Sequence, residues 1–120
     1  MDEPRQYITK DSGEREGFIT GANRDRRAGK GRYDLLSVVG IRRIAGVYER
    51  GAEKYSDRNW EKGMPVSRFL DSALRHTFQA LDGQDDEDHM AQAAWNLMAA
   101  MHMQERRPEL DDRPKKEVTN

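Results

Sequence analysis

Apolar residues recur at steps of three and four in three separate stretches of this chain, and no convincing run alternates apolar with polar residues. That period belongs to one face of an α-helix. In the first stretch Val38, Ile41, Ala45, Tyr48, Ala52 and Tyr55 share a face, and Asp34 is placed to cap it. Leu70, Leu74, Thr77 and Leu81 mark the second, which opens near Pro65 or Ser67 and stops at Gly83. The third carries Met90, Ala94, Leu97 and Met101 and runs from about Asp85 to Glu105, with acids in its first turn where the helix dipole favours them. The pattern predicts an all-α fold, a small bundle of three main helices. Gly40, Gly46 and Gly51 within the first helix predict close packing or a local break.

Composition bounds the class. With 120 residues the chain is one domain by size, yet only 35% of it is apolar and 36% is charged. That core is thin for a monomer, so the bundle is expected to be completed by oligomerisation, as a dimer or tetramer. A formal net charge of -1 offers no field for recruiting nucleic acid or anionic membrane. The absence of cysteine excludes disulfides and thiolate chemistry, and no run is long and apolar enough to span a bilayer. A cytoplasmic protein is the expectation. Residues 1–19 read as a flexible arm, 20–106 as the helical domain and 107–120 as a disordered tail.

Several side chains have no packing task. Glu49 and Glu53 stand four apart on one helix face, where like charges cost a few tenths of a kcal/mol unless a cation is shared. The plainer reading is a solvated face; the sharper one is a Mg²⁺ or Mn²⁺ site completed by Asp85 and Asp88 from another helix. Lys54, Arg58 and Asn59 follow at once and are the residue types that hold phosphate oxygens, while Tyr55 and Trp60 offer rings for stacking. Lys30 and Arg32 lie in a glycine-rich basic segment suited to an anion, or else in a free basic arm. His76 borders an apolar face, where a lone histidine is more often a satisfied core group. His89 and Asn96 share one side of the third helix, and a buried Asn96 would need partners, such as the Arg58–Trp60 loop.

Taken in order, Gly29-Lys-Gly-Arg-Tyr-Asp-Leu-Leu36, Gly51-Ala-Glu-Lys-Tyr-Ser-Asp-Arg-Asn-Trp60, Arg75-His76 and Asp85…Asp88-His89…Asn96 resemble the phage-type dATP/dGTP diphosphohydrolase-like family. That family is similar to the all-α MazG nucleotide pyrophosphohydrolases. The resemblance spans roughly Thr20 to Met103. It implies divalent-metal hydrolysis of a purine (deoxy)nucleoside triphosphate to the monophosphate and pyrophosphate, in the host cytoplasm if the chain is phage-encoded. Glu49, Glu53 and Asp88 would then be catalytic, with Asp85 at the margin of the metal site. Lys30, Arg32, Lys54, Tyr55, Arg58, Asn59, Trp60, His76, His89 and Asn96 would meet the nucleotide. One departure stands out: Glu49-x-x-x-Glu53 is one residue longer than the MazG Glu-x-x-Glu, and His89 and Gln92 fall where its second acidic pair would be. The alternative is a protein that binds a nucleotide without hydrolysing it, a phage sponge for a nucleotide immune signal.

Overall fold

A computed structural model describes residues 9–115. The chain divides into two units, Met1–Leu35 and Leu36–Asn120.

In the first unit, β1 (Arg15–Gly17) pairs antiparallel with β2 (Asn23–Asp25), with Arg15 opposite Asp25 and Gly17 opposite Asn23. The Phe18 N–H donates to the Ala22 carbonyl at 3.0 Å across the turn. Asp25 accepts from the Ser12 hydroxyl, the Ser12 N–H and Lys30 Nζ, which together hold its carboxyl down at about 2. Short strands thus stand at Arg15–Gly17 and Asn23–Asp25, where the sequence shows no strand alternation. These strands are built from charged residues and glycine, which carry no strand signature in the sequence. Residues 1–8 of the expected arm lie outside the described residues.

The second unit is a helical bundle of α1 (Val38–Lys54), α2 (Val66–Leu81) and α3 (His89–Arg106). Ser37, not Asp34, caps α1: its hydroxyl accepts the Gly40 N–H at 3.0 Å, while Asp34 pairs with Arg32. α1 runs unbroken through its glycines. α2 begins directly after Pro65 and ends before Gly83, whose φ of 79° suits the reversal. Asp88, the last of the acidic run, caps α3 through the Ala91 N–H.

The core lies between α2 and α3. Val66 and Phe69 pack on Ala99, Ala100 and Met103, with Trp60, Leu70, Trp95 and Leu110 around them. His76 meets His89 at the other end, so α2 and α3 run antiparallel. α1 lies along α3 in the same direction, from Arg43 beside Asp88 to Tyr48 beside Met98. Tyr48 also sets its ring edgewise to Trp60 and Trp95, at 6.0 and 5.9 Å.

Two expectations are corrected here. Leu74, Leu81, Met90, Leu97 and Met101 are not buried within the chain; Leu74 is 60% and Leu81 82% exposed. Val38, Ile41 and Ala45 of α1 are exposed as well. Nor is the chain loose from Arg107 onward. A 3-10 turn at Pro108–Leu110 lays Leu110 on the core, and Asp112 accepts from the Ser67 N–H at 2.9 Å and from its hydroxyl, capping α2 from outside. Residues 116–120 lie outside the described residues.

Candidate functional site

The first turn of α3 and the turn before it bring the titratable groups together. His89 is buried, yet both its ring nitrogens are engaged: Nε2 lies 2.7 Å from Asp86 Oδ1, and Nδ1 lies 2.9 Å from His76 Nδ1 of α2. The His89 hydrogen bond holds the Asp86 carboxyl below its ordinary value, so Asp86 is an acceptor. Asp86 therefore accepts from His89 Nε2–H, and the two Nδ1 atoms share one hydrogen bond between α2 and α3. Burial, then the neighbouring His89, push the His76 pKa down.

Asp86, Glu87 and His89 each offer a ligand atom within 4.8 Å of the others, the one such three-donor group among the described residues. An open cleft of about 380 Å³ adjoins them, lined by Arg43, Gln84, Asp85, Glu87, Asp88 and His89 among others. Asp88 is already taken by Arg43, whose Nε donates at 2.8 Å and whose Nη2 makes a second bond. That fork holds its carboxyl at about 2.

The other expected residues lie elsewhere. Counting about 100° per residue from buried Val47, Glu49 and Glu53 point to the side of α1 away from α3. Both are exposed, and among the described residues neither joins a group of three metal donors. Lys54 Nζ sits 5.3 Å from the Tyr55 ring, with both side chains in solvent. Arg58 pairs with Glu61, and its backbone is left-handed at φ 57°. Asn59 opens the following 3-10 turn, Asn59–Lys62. Trp60 is locked between Tyr48 and His102, whose ring is 4.8 Å away. Asn96 is buried but donates to the Gln92 carbonyl of its own helix at 2.9 Å, not to the Arg58–Trp60 loop. In the first unit Lys30 pairs with Asp25 and Arg32 with Asp34. Sequence reasoning missed Asp86 and Glu87 as donors and Arg43 as the partner of Asp88. A basic residue five positions into an apolar face was the one available signal for Arg43.

Residues 20–113 match the family described as dATP/dGTP diphosphohydrolase, N-terminal. The chain belongs to that family. The match takes in all three helices of this diphosphohydrolase-family domain, the β2 strand and the Asp112 cap on α2. No curated protein and no solved structure matches it. No helix among the described residues is long and apolar enough to cross a membrane.

Proposed function

We propose that this domain hydrolyses a purine (deoxy)nucleoside triphosphate to the monophosphate and pyrophosphate with a divalent cation. The observation that carries the reading is family membership across residues 20–113. Water adds at the α-phosphorus, the bond to the bridging oxygen breaks, and pyrophosphate leaves with the electron pair.

The donors at the head of α3 fit a cation. Two carboxylates and one imidazole make a mixed oxygen–nitrogen set, which suits Mn²⁺ at least as well as oxygen-seeking Mg²⁺. Asp86, Glu87 and His89 would hold it, and a bound cation supplies polarisation of a phosphoryl oxygen and a more acidic water. His89 would bind through Nε2, the cation taking the place of the proton now shared with Asp86, and His76 would orient the ring at Nδ1. Glu49 and Glu53 remain a separate candidate pair, expected from the sequence. Lys54, in solvent, and Arg58, which would exchange its exposed Glu61 pair for phosphate, would neutralise a triphosphate. Tyr55, with 65% of its surface exposed, is better placed than packed Trp60 to stack on a base.

The test is incubation with a panel of nucleotides and Mn²⁺ or Mg²⁺, followed by chromatography of the products and a pyrophosphate assay. Conversion of dATP or dGTP to the monophosphate is expected. Unchanged nucleotide released on denaturation would replace hydrolysis by sequestration. An inert, ligand-free protein would sink both.

A further inference from the structure

α1 turns two arginines toward the head of α3. Val47 is the buried residue of α1, and Arg43 and Arg50 stand one turn before it and one turn after it on the same face. A helix face that packs on a neighbour ordinarily carries apolar residues at such positions. Arg43 lines the open cleft of about 380 Å³ together with Asp85, Glu87, Asp88 and His89. Arg50 folds back along the helix toward Arg43, across the bare backbone of Gly46: a Cβ placed on Gly46 would lie 3.2 Å from Arg50 Nη1. The Arg43 bond is the first cause of the low Asp88 pKa, and the charge of Arg50 adds to it, so both guanidiniums bear on the same end of α3. Arg43 is paired with Asp88, whereas Arg50 makes no ion pair among the described residues. Of the nearby acids, Asp86 bonds to His89 and Glu87 accepts from the Gln92 side chain, both within the head of α3.

We propose that Arg43 and Arg50 bind the β- and γ-phosphates of the triphosphate, and then the pyrophosphate it leaves, beside a cation held by Asp86, Glu87 and His89. The leaving-group role rests on the hydrolysis proposed above; the binding of a phosphate chain does not. A guanidinium presents its N–H donors as a planar fork that matches two oxygens of one phosphate. Arg43 already makes that fork to the carboxylate of Asp88, so a phosphate taking its place keeps the geometry and brings more charge. Asp88 keeps its bond from the Ala91 N–H when Arg43 turns away, so α3 keeps its cap. Arg50 has no partner to exchange. Two forks along one helix suit two linked phosphates better than a single one. The cleft acids would repel a bare phosphate chain, so cation and arginines act together, the first against the carboxylates and the second against the outer phosphates. Both arginines stay charged, so no proton passes to or from them. They offset the charge that grows on pyrophosphate as its bond to the α-phosphorus breaks.

Calorimetric titration of the full chain with inorganic pyrophosphate in Mg²⁺ tests this without turnover. The wild type is expected to bind it. Arg50→Gln and Arg43→Gln are each expected to weaken binding at least about tenfold, the loss of a charge-assisted contact. Arg42→Gln removes the same charge from an exposed position on the same helix and is expected to bind as the wild type does. Far-ultraviolet circular dichroism checks the fold; should Arg43→Gln unfold, Arg50→Gln carries the test alone, since its side chain is exposed and breaks no ion pair. A wild type that does not bind pyrophosphate overturns the proposal. An unchanged affinity in either folded arginine variant, or an equal loss in Arg42→Gln, overturns it too. Binding that falls in Arg50→Gln, in a protein that turns over no nucleotide, supports the arginine site and sinks hydrolysis. Turnover with pyrophosphate affinity unchanged by both substitutions sinks the arginine site and leaves hydrolysis standing.

Discussion

Arg43 of α1 grips Asp88, the residue that caps α3, with a two-pronged hydrogen bond across 45 positions of sequence. One carboxylate thereby starts a helix and ties a second helix to its first turn.

Removing that carboxylate should cost the cap and the pair together. Asp88→Ala is expected to destabilise by about 1–2 kcal/mol. The Arg43–Asp88 coupling in a double-mutant cycle should be at most about 1 kcal/mol, because the Arg43 side chain is half exposed. The folded carboxyl titrates at about 2 and the unfolded one at 3.8. The folded state thus binds fewer protons in that window, so the contribution is complete above pH 4 and fades as pH falls toward 2. Urea titrations of wild type and Asp88→Asn between pH 5 and 2.5 should converge at the acid end.

Gly63 ends the turn between α1 and α2 at φ 100°, and a Cβ there would meet Leu110 Cδ1 at 2.7 Å. Gly63→Ala combines backbone strain with displacement of a core-packing leucine. A loss of about 1–3 kcal/mol is expected in chemical denaturation; a wild-type midpoint would show that the turn can relax freely.

Phe69 is 1% exposed while Leu74, five residues on, lies on the outer side of the same helix. Phe69→Ala should cost about 3–5 kcal/mol at every protein concentration. Leu74→Ala, on an exposed side chain, should stay within about 0.5 kcal/mol of the wild type.

The two candidate metal sets separate cleanly. If the cation sits at the head of α3, Asp86→Asn should abolish Mn²⁺-dependent turnover and Glu53→Gln should leave it near wild type. The reverse pattern would return the metal to α1. Calorimetric Mn²⁺ titration of both variants gives the same answer without substrate.

In metal-free buffer His76 should make the fold acid-sensitive. Its folded pKa lies below the ordinary 6.5, so between those values the unfolded chain takes up a proton that the folded chain refuses. Stability is complete well above 6.5, declines as pH drops from there toward the folded value, and levels off below it. His76→Gln should flatten that slope, as read from melting temperatures between pH 7.5 and 5.

The helices were legible because their ends carry chemistry: Pro65 before α2, Gly83 after it, an acidic run before α3. What was not legible was which face turns inward. Large side chains at heptad spacing drew the eye to Leu74, Leu81 and Met101, whereas the interior is built largely of Ala73, Ala91, Ala93, Ala99 and Ala100. Small residues let helices approach closely and leave little trace in a hydropathy pattern. The start of α1 was misread because Asp34 and Ser37 are both good caps, and Arg32 claims Asp34. The donor group was hidden for another reason: Asp86 and Glu87 stand in an acidic run that reads first as a helix cap and dipole complement. The His76–His89 contact joins different helices thirteen positions apart, and no spacing rule gives it.

Both tryptophans of the chain sit in one seam. Trp60 stands edgewise between Tyr48 and His102, and Trp95 between Tyr48 and Phe69. The whole indole emission of the protein therefore originates where α1 meets α3, with a tyrosine donor 6.0 Å from one ring and an imidazole against its other side. Detachment of α1 would redden and brighten that light while the α2–α3 pair still held its circular dichroism, so the order in which the bundle comes apart can be watched without a label.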